Sequence, residues 1–262
     1  MKKLIFILLC FSLLTFGSSA RIIEVAPAGA WGIIGISGGG AVAEAGGDVA
    51  LAGTLQTVDA AAADGSSAIT IDANAEVCVV ASAYYYASAD WTQDPFVSIG
   101  GALGGSNNIT EASKIETNEI NHVMIGYILQ SAIGGTGSQT LYWNWWDGSA
   151  RACALGGQIF VQCFKNVNTT TPVTAGTTGA NSNSTNDLDV TGLTASDTGD
   201  MMVGIMGSDG SPTVTGSSQT SLANNLYNSL YGAMAYKLSA TLFDVAGGSY
   251  SAQAALILNK AP

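Results

Sequence analysis

Charge is scarce in this sequence. Of its 262 residues only 10% are Asp, Glu, Lys or Arg, and eight basic side chains face 19 acidic ones. That balance excludes nucleic acid as a partner, because binding it needs a basic stripe that displaces counterions. A single histidine, His122, and the absence of any CxxC or His-rich pairing exclude a zinc site. With one histidine and no recognisable acid pair, little is left for acid–base chemistry, and no enzyme activity is expected. No apolar stretch after the N-terminus approaches the length of a membrane span. A long amphipathic helix is also missing, which argues against parallel βαβ units.

What is present begins with a targeting segment. Lys2 and Lys3 precede an apolar run over residues 4–16, and Gly17-Ser-Ser-Ala20 reads as a small-residue cleavage site. Leu8 and Leu9 before Cys10 do not suit lipidation, so no lipid anchor is expected. The mature chain is therefore read as exported and soluble. Loss of two of the eight basic residues leaves six against 19 acids, a net charge of −13. Export permits a disulfide, but Cys78, Cys153 and Cys163 are odd in number. Cys78 and Cys163 lie in apolar strands, where buried inert thiols are expected.

The strand signals are organised around residues 158–207. Gln158-Ile-Phe-Val-Gln-Cys-Phe-Lys165 alternates, and Asn168-Thr-Thr-Thr-Pro-Val173 opens a polar loop that closes in Asp187-Leu-Asp-Val-Thr-Gly-Leu193. Met201-Met-Val-Gly-Ile-Met206 is apolar on both faces and reads as central in a sheet. Further strands are read at 68–72, 76–86, 96–100, 122–130, 140–146, 230–238 and 253–258, each short and bounded by Gly, Asn, Asp or Ser. The expected fold is all-β: an antiparallel, two-sheet, jelly-roll-like sandwich forming one domain after the leader.

Alternation sorts side chains onto faces. Val123, Ile125, Tyr127 and Leu129 share one face of their strand, while His122, Met124, Ile128 and Gln130 share the other. Leu141, Trp143 and Trp145 oppose Tyr142, Asn144 and Trp146. Two stacked sheets would gather these sets into a single core. Residues 26–58 are small, apolar and glycine-broken, and read as two or three extended strands. They either complete the sandwich or pair with a neighbour's sheet edge. The expected organisation is a leader at 1–20, a small-residue segment at 21–67 and a sandwich domain at 68–262.

The order of several segments carries a resemblance. It runs from the Val-rich strand at 76–81 and Val97-Ser-Ile-Gly-Gly101 through Tyr127-Ile-Leu129 to a Thr-Leu-Tyr-Trp strand. It continues with Phe164-Lys-Asn-Val-Asn-Thr-Thr-Thr-Pro-Val173, Thr198-Gly-Asp-Met-Met-Val203 and Ala235-Tyr-Lys237. Over about residues 68–260 this resembles a jelly-roll β-sandwich module that recurs in exported bacterial surface proteins and in phage tail or virion proteins. The resemblance implies no activity and transfers no catalytic residue.

Each candidate chemistry has a plainer alternative. Gly35-Ile-Ser-Gly-Gly39 matches a hydrolase nucleophile elbow with His122 as its only base, but a glycine turn between strands accounts for it better. Asp187 and Asp189 on one strand face, with Asp197 and Asp200 in the next turn, could offer oxygens to Ca²⁺; solvated edge and turn aspartates are the favoured reading. No other cofactor is expected. Asp90 with Asp94, or Asp147, would serve glycoside hydrolysis only if they faced each other across a groove. Tyr84, Tyr86, Trp91, Tyr142 and Trp146 belong to aromatic sets that place rings on both faces of their strands. Those left outside a core would stack on sugar rings or form a subunit interface. Asn108, Asn168 and Asn183 head Asn-x-Ser/Thr sequons, expected in loops.

The function expected from these readings is an exported, non-enzymatic structural or adhesion protein at the cell surface, self-associating into fibres or arrays. The alternatives are a carbohydrate-binding module using its exposed Trp and Tyr, or a virion component.

Overall fold

Short strands separated by Gly, Asn and Asp turns dominate the computed structural model, as the alternating pattern requires. It describes residues 47–60, 64–85, 96–101, 108–117, 121–144, 157–181, 187–190, 195, 197–208, 213–214, 220–227, 230–238, 243–246 and 251–262. All of these fall in one compact unit, Val42–Pro262.

The first group of strands is β1 (Ala50–Ala60), β2 (Asp64–Ile71), β3 (Val77–Tyr85), β4 (Phe96–Ile99), β5 (Thr110–Thr117), β6 (Asn121–Leu129), β7 (Gly137–Asn144) and β8 (Gly157–Lys165). A single-turn helix, α1 (Gln130–Ile133), sits between β6 and β7 and ends on Gly134 in the left-handed region. The second group is β9 (Val173–Asn181), β10 (Asp187–Val190), β11 (Met201–Ser208), β12 (Thr213–Val214), β13 (Thr220–Tyr227), β14 (Leu230–Leu238), β15 (Phe243–Ala246) and β16 (Ser251–Leu258).

These strands form four antiparallel sheets. The first group makes β1-β8-β3-β6-β5 and β2-β7-β4; the second makes β9-β16-β11-β14-β13 and β10-β15-β12. Adding eight to every strand number turns the first pair of sheets into the second. Within each group the first strand pairs with the eighth, the third with the sixth and the second with the seventh, which is jelly-roll connectivity. The expected antiparallel sandwich is therefore present, and it is present twice.

The repeat extends to the register. Thr110 faces Tyr127 at the start of β5, and Thr220 faces Tyr236 at the start of β13. One rung later each edge strand carries a one-residue bulge, at Ala112 and at Leu222, and the ladders resume at Ser113↔Ile125 and Ala223↔Met234. Both bulge residues pack against the same apolar cluster. The extra residue bends each edge strand in the same place.

The single core expected from alternation is replaced by three clusters. One lies between the two sheets of the first repeat and includes Ile69, Ile99, Leu141, Val80, Val161 and Met124. The second joins the two five-stranded sheets through Val79, Ile125, Phe160, Phe164, Val203 and Leu256. The third lies on the opposite face of the second five-stranded sheet, with Met202, Met206, Ala255 and Ile257, where β10 and β15 lie against β16 and β11. The five-stranded sheets are thus covered on both sides. This explains why β8 and β11 are buried along almost their whole length. β11 is the middle strand of its sheet, as its two apolar faces indicated.

Two expectations are corrected here. Cys78 and Cys163 are not free thiols: they form a disulfide across 85 residues, because the β3/β8 register sets them directly opposite each other. Burial was read correctly, but pairing depends on a register that composition does not reveal. The polar stretch after Asn168, expected as a loop, contains β9, which is the edge strand beside β16. Residues 50–60, part of the small-residue segment, form β1 and pair with β8 of the same chain. Residues 21–46 lie outside the described residues.

Candidate functional site

The segments that follow the eighth strand of each repeat clasp one another. Val167 and Lys260 form an antiparallel bridge, with Asn168 N–H donating to Asn259 O at 2.8 Å and Ala261 N–H donating to Asn166 O at 2.9 Å. An acid preceding the third strand of each repeat secures this clasp. Glu76 Oε2 accepts from Val167 N at 2.7 Å, and Asp200 Oδ1 accepts from Lys260 N at 2.9 Å. Asp200 Oδ2 also accepts from Asp197 N at 2.9 Å, closing the turn that contains Gly199 at φ 101°. A residue with a Cβ would be strained at that φ and would meet the Asp48 carboxylate.

Asp200 is 1% exposed, and both of its oxygens already accept from the chain's own backbone. Asp197 is exposed. Asp187 and Asp189 lie on β10, opposite Ala246 and Asp244 of β15. No group of three or more His, Cys, Asp or Glu side chains placed to hold a metal ion occurs among the described residues.

The aromatic candidates divide. Tyr84 is 3% exposed and belongs to the cluster between the sheets of the first repeat, so the expectation of a surface ring there is corrected. It faces Gly157 across the β3/β8 ladder, and a side chain at that glycine would collide with it. Tyr142 is half-buried on the outer face of β7, directly opposite Ser66 and Ser98, while Leu141 and Trp143 point inward. Gly65 opposite Trp143 leaves room for the indole, which a Cβ there would overlap. Tyr86, Trp91 and Trp146 lie outside the described residues, as do Asp90, Asp94, Asp147, Cys153 and Ser37. His122 lies on β6 opposite Tyr84 and Glu116.

A cleft that alternation did not single out lies at the junction of the repeats. Its volume is about 210 Å³, and its polar rim consists of Asn108, Thr110, Tyr127, Thr169 and Thr170. Ile128, Leu129, Ala132 and Pro172 form its apolar lining. Thr110, Thr169 and Thr170 are exposed and Tyr127 is half-buried. The linker wall is fixed on both sides: Asn168 Oδ1 accepts from Thr170 N and Thr171 N at 3.0 and 3.1 Å. Asn259 N–H donates to Pro172 O at 3.0 Å, and Asn259 Nδ2 donates to Thr171 O at 2.6 Å. The signals that could have marked this place are the two sequons, Asn108-Ile-Thr110 and Asn168-Thr-Thr170, which bracket it.

Comparison with protein-family models, with curated proteins and with solved structures returns no match for this chain.

Proposed function

We propose that this chain is an exported, non-enzymatic structural protein that associates with further copies of itself outside the cell. The observation that carries the reading is β1. It spans eleven residues, with an irregularity between Ala52 and Gln56, ends its sheet among the described residues, and is solvent-exposed at Thr57 and Asp59 beyond that irregularity. A long edge strand offers backbone donors and acceptors to a neighbouring strand. The small, nearly uncharged residues of 21–46 immediately precede it and suit such pairing. Tyr142, half-buried on β7 between exposed Ser66 and buried Ser98, suits the rim of a subunit contact. The Cys78–Cys163 bond supports export, since intramolecular disulfides persist in oxidising compartments.

Light scattering and negative-stain microscopy of residues 21–262 test this. Large regular species are expected from that chain, and a monomer from one lacking 21–46, a deletion that stops short of every described strand. Tyr142→Ala should weaken association without unfolding. A mature chain that stays monomeric at high concentration would sink the proposal. Large species from the shortened chain would show that another surface drives assembly.

A further inference from the structure

The junction cleft is walled by two elements that sit outside the sixteen-strand repeat: α1, and the linker joining β8 to β9. The Thr110–Tyr127 pair on its rim recurs as Thr220–Tyr236 in the second repeat and so belongs to the fold. The helix and the linker add Ala132, Thr169, Thr170 and Pro172 around that pair.

We propose that this cleft binds one uncharged sugar ring. Its lining combines three threonines, an asparagine and a tyrosine with aliphatic residues. That combination matches a ring with hydroxyl groups around an apolar C–H face. Among the described residues no Asp, Glu, Lys or Arg lines the cleft, so none of them favours a phosphate, a carboxylate or an amine. The linker is held by Asn168 and Asn259 before any ligand arrives, which lowers the ordering cost of binding. At about 210 Å³ the space falls below the roughly 300–1,000 Å³ of sites for drug-sized ligands, which limits it to one ring. This inference is independent of the assembly reading, because the rim residues belong to β5, the bridge residue Asn108 before it, β6 and the linker rather than to β1.

The test is an amide NMR titration of residues 21–262 with methyl glycosides of glucose, galactose and mannose, with N-acetylglucosamine, and with methyl glucuronide as the charged control. At least one neutral sugar should give saturable shifts at Thr110, Tyr127, Thr169 and Thr170. A dissociation constant in the millimolar range is expected, as a dozen heavy atoms allow. Thr170→Val keeps the backbone N–H that Asn168 accepts from, and Tyr127→Phe keeps the packing. Each should weaken binding about three- to tenfold, the share of one neutral hydrogen bond. Absence of saturable shifts with every neutral sugar would overturn the proposal. So would binding unchanged in both variants, or tighter binding of the glucuronide.

Discussion

Gln253 on β16 is 0% exposed, and neither its Oε1 nor its Nε2 has a partner among the described residues. It faces Met206 across the β11/β16 ladder. At the matching rung of the first repeat the polar group has changed strands: Ser82 on β3, also 0% exposed and with no partner at Oγ among the described residues, faces Ile159 on β8. An unpartnered buried amide costs about 1–3 kcal/mol relative to an apolar group of similar shape. Gln253→Met should therefore raise stability by about that amount, read as a higher denaturant midpoint at unchanged slope. A lower midpoint would mean that the amide has a partner, such as an internal water. At this scale the sequence was legible in part. Alternation correctly separated Tyr142 from Leu141 and Trp143, but it could not show that both faces of the β3 sheet are covered, which is why Tyr84 is buried.

The middle strands of the five-stranded sheets announced themselves, whereas the four-residue β15, in the middle of its three-stranded sheet, escaped notice, as did several edge strands. β5, β9 and β13 are all edge strands, with sequences such as TEASKIET and TSLANNLY. An edge strand is paired on one side only and needs fewer apolar side chains, so its pattern fades toward that of a loop. β3 and β8 are the opposite case, and the Cys78–Cys163 bond joins them where burial is nearly complete. Closing 85 residues in the unfolded chain corresponds to about 4–5 kcal/mol on the chain-entropy estimate. Cys78→Ala with Cys163→Ala should lower unfolding stability by up to that amount while preserving the strand signature in circular dichroism. A loss below about 1 kcal/mol would mean that the unfolded chain is already compact in this region.

The repeat is the largest feature that sequence reading missed, and its invisibility has a physical cause. What the two copies share is which face each side chain occupies, and several apolar residues satisfy that condition equally. Phe160 and Ala254 stand at matching places between the five-stranded sheets, and the Cys78–Cys163 pair is matched by Met202 opposite Ile257. Met202 and Ile257 are both buried on the face turned away from the first repeat, just as Cys78 and Cys163 face away from the second. If the ladders are equivalent, the second pair occupies the close type of antiparallel position that a cross-strand disulfide uses. Met202→Cys with Ile257→Cys, in a chain whose Cys153 is Ser, should form a second intramolecular disulfide, seen by peptide mapping under non-reducing conditions. The next pair, Val203→Cys with Leu256→Cys, occupies the wider type of position and should stay reduced under the same conditions. A disulfide in the Val203–Leu256 variant and none in the Met202–Ile257 variant would place the two repeats one residue out of step, and the equivalence of their faces would fail with it.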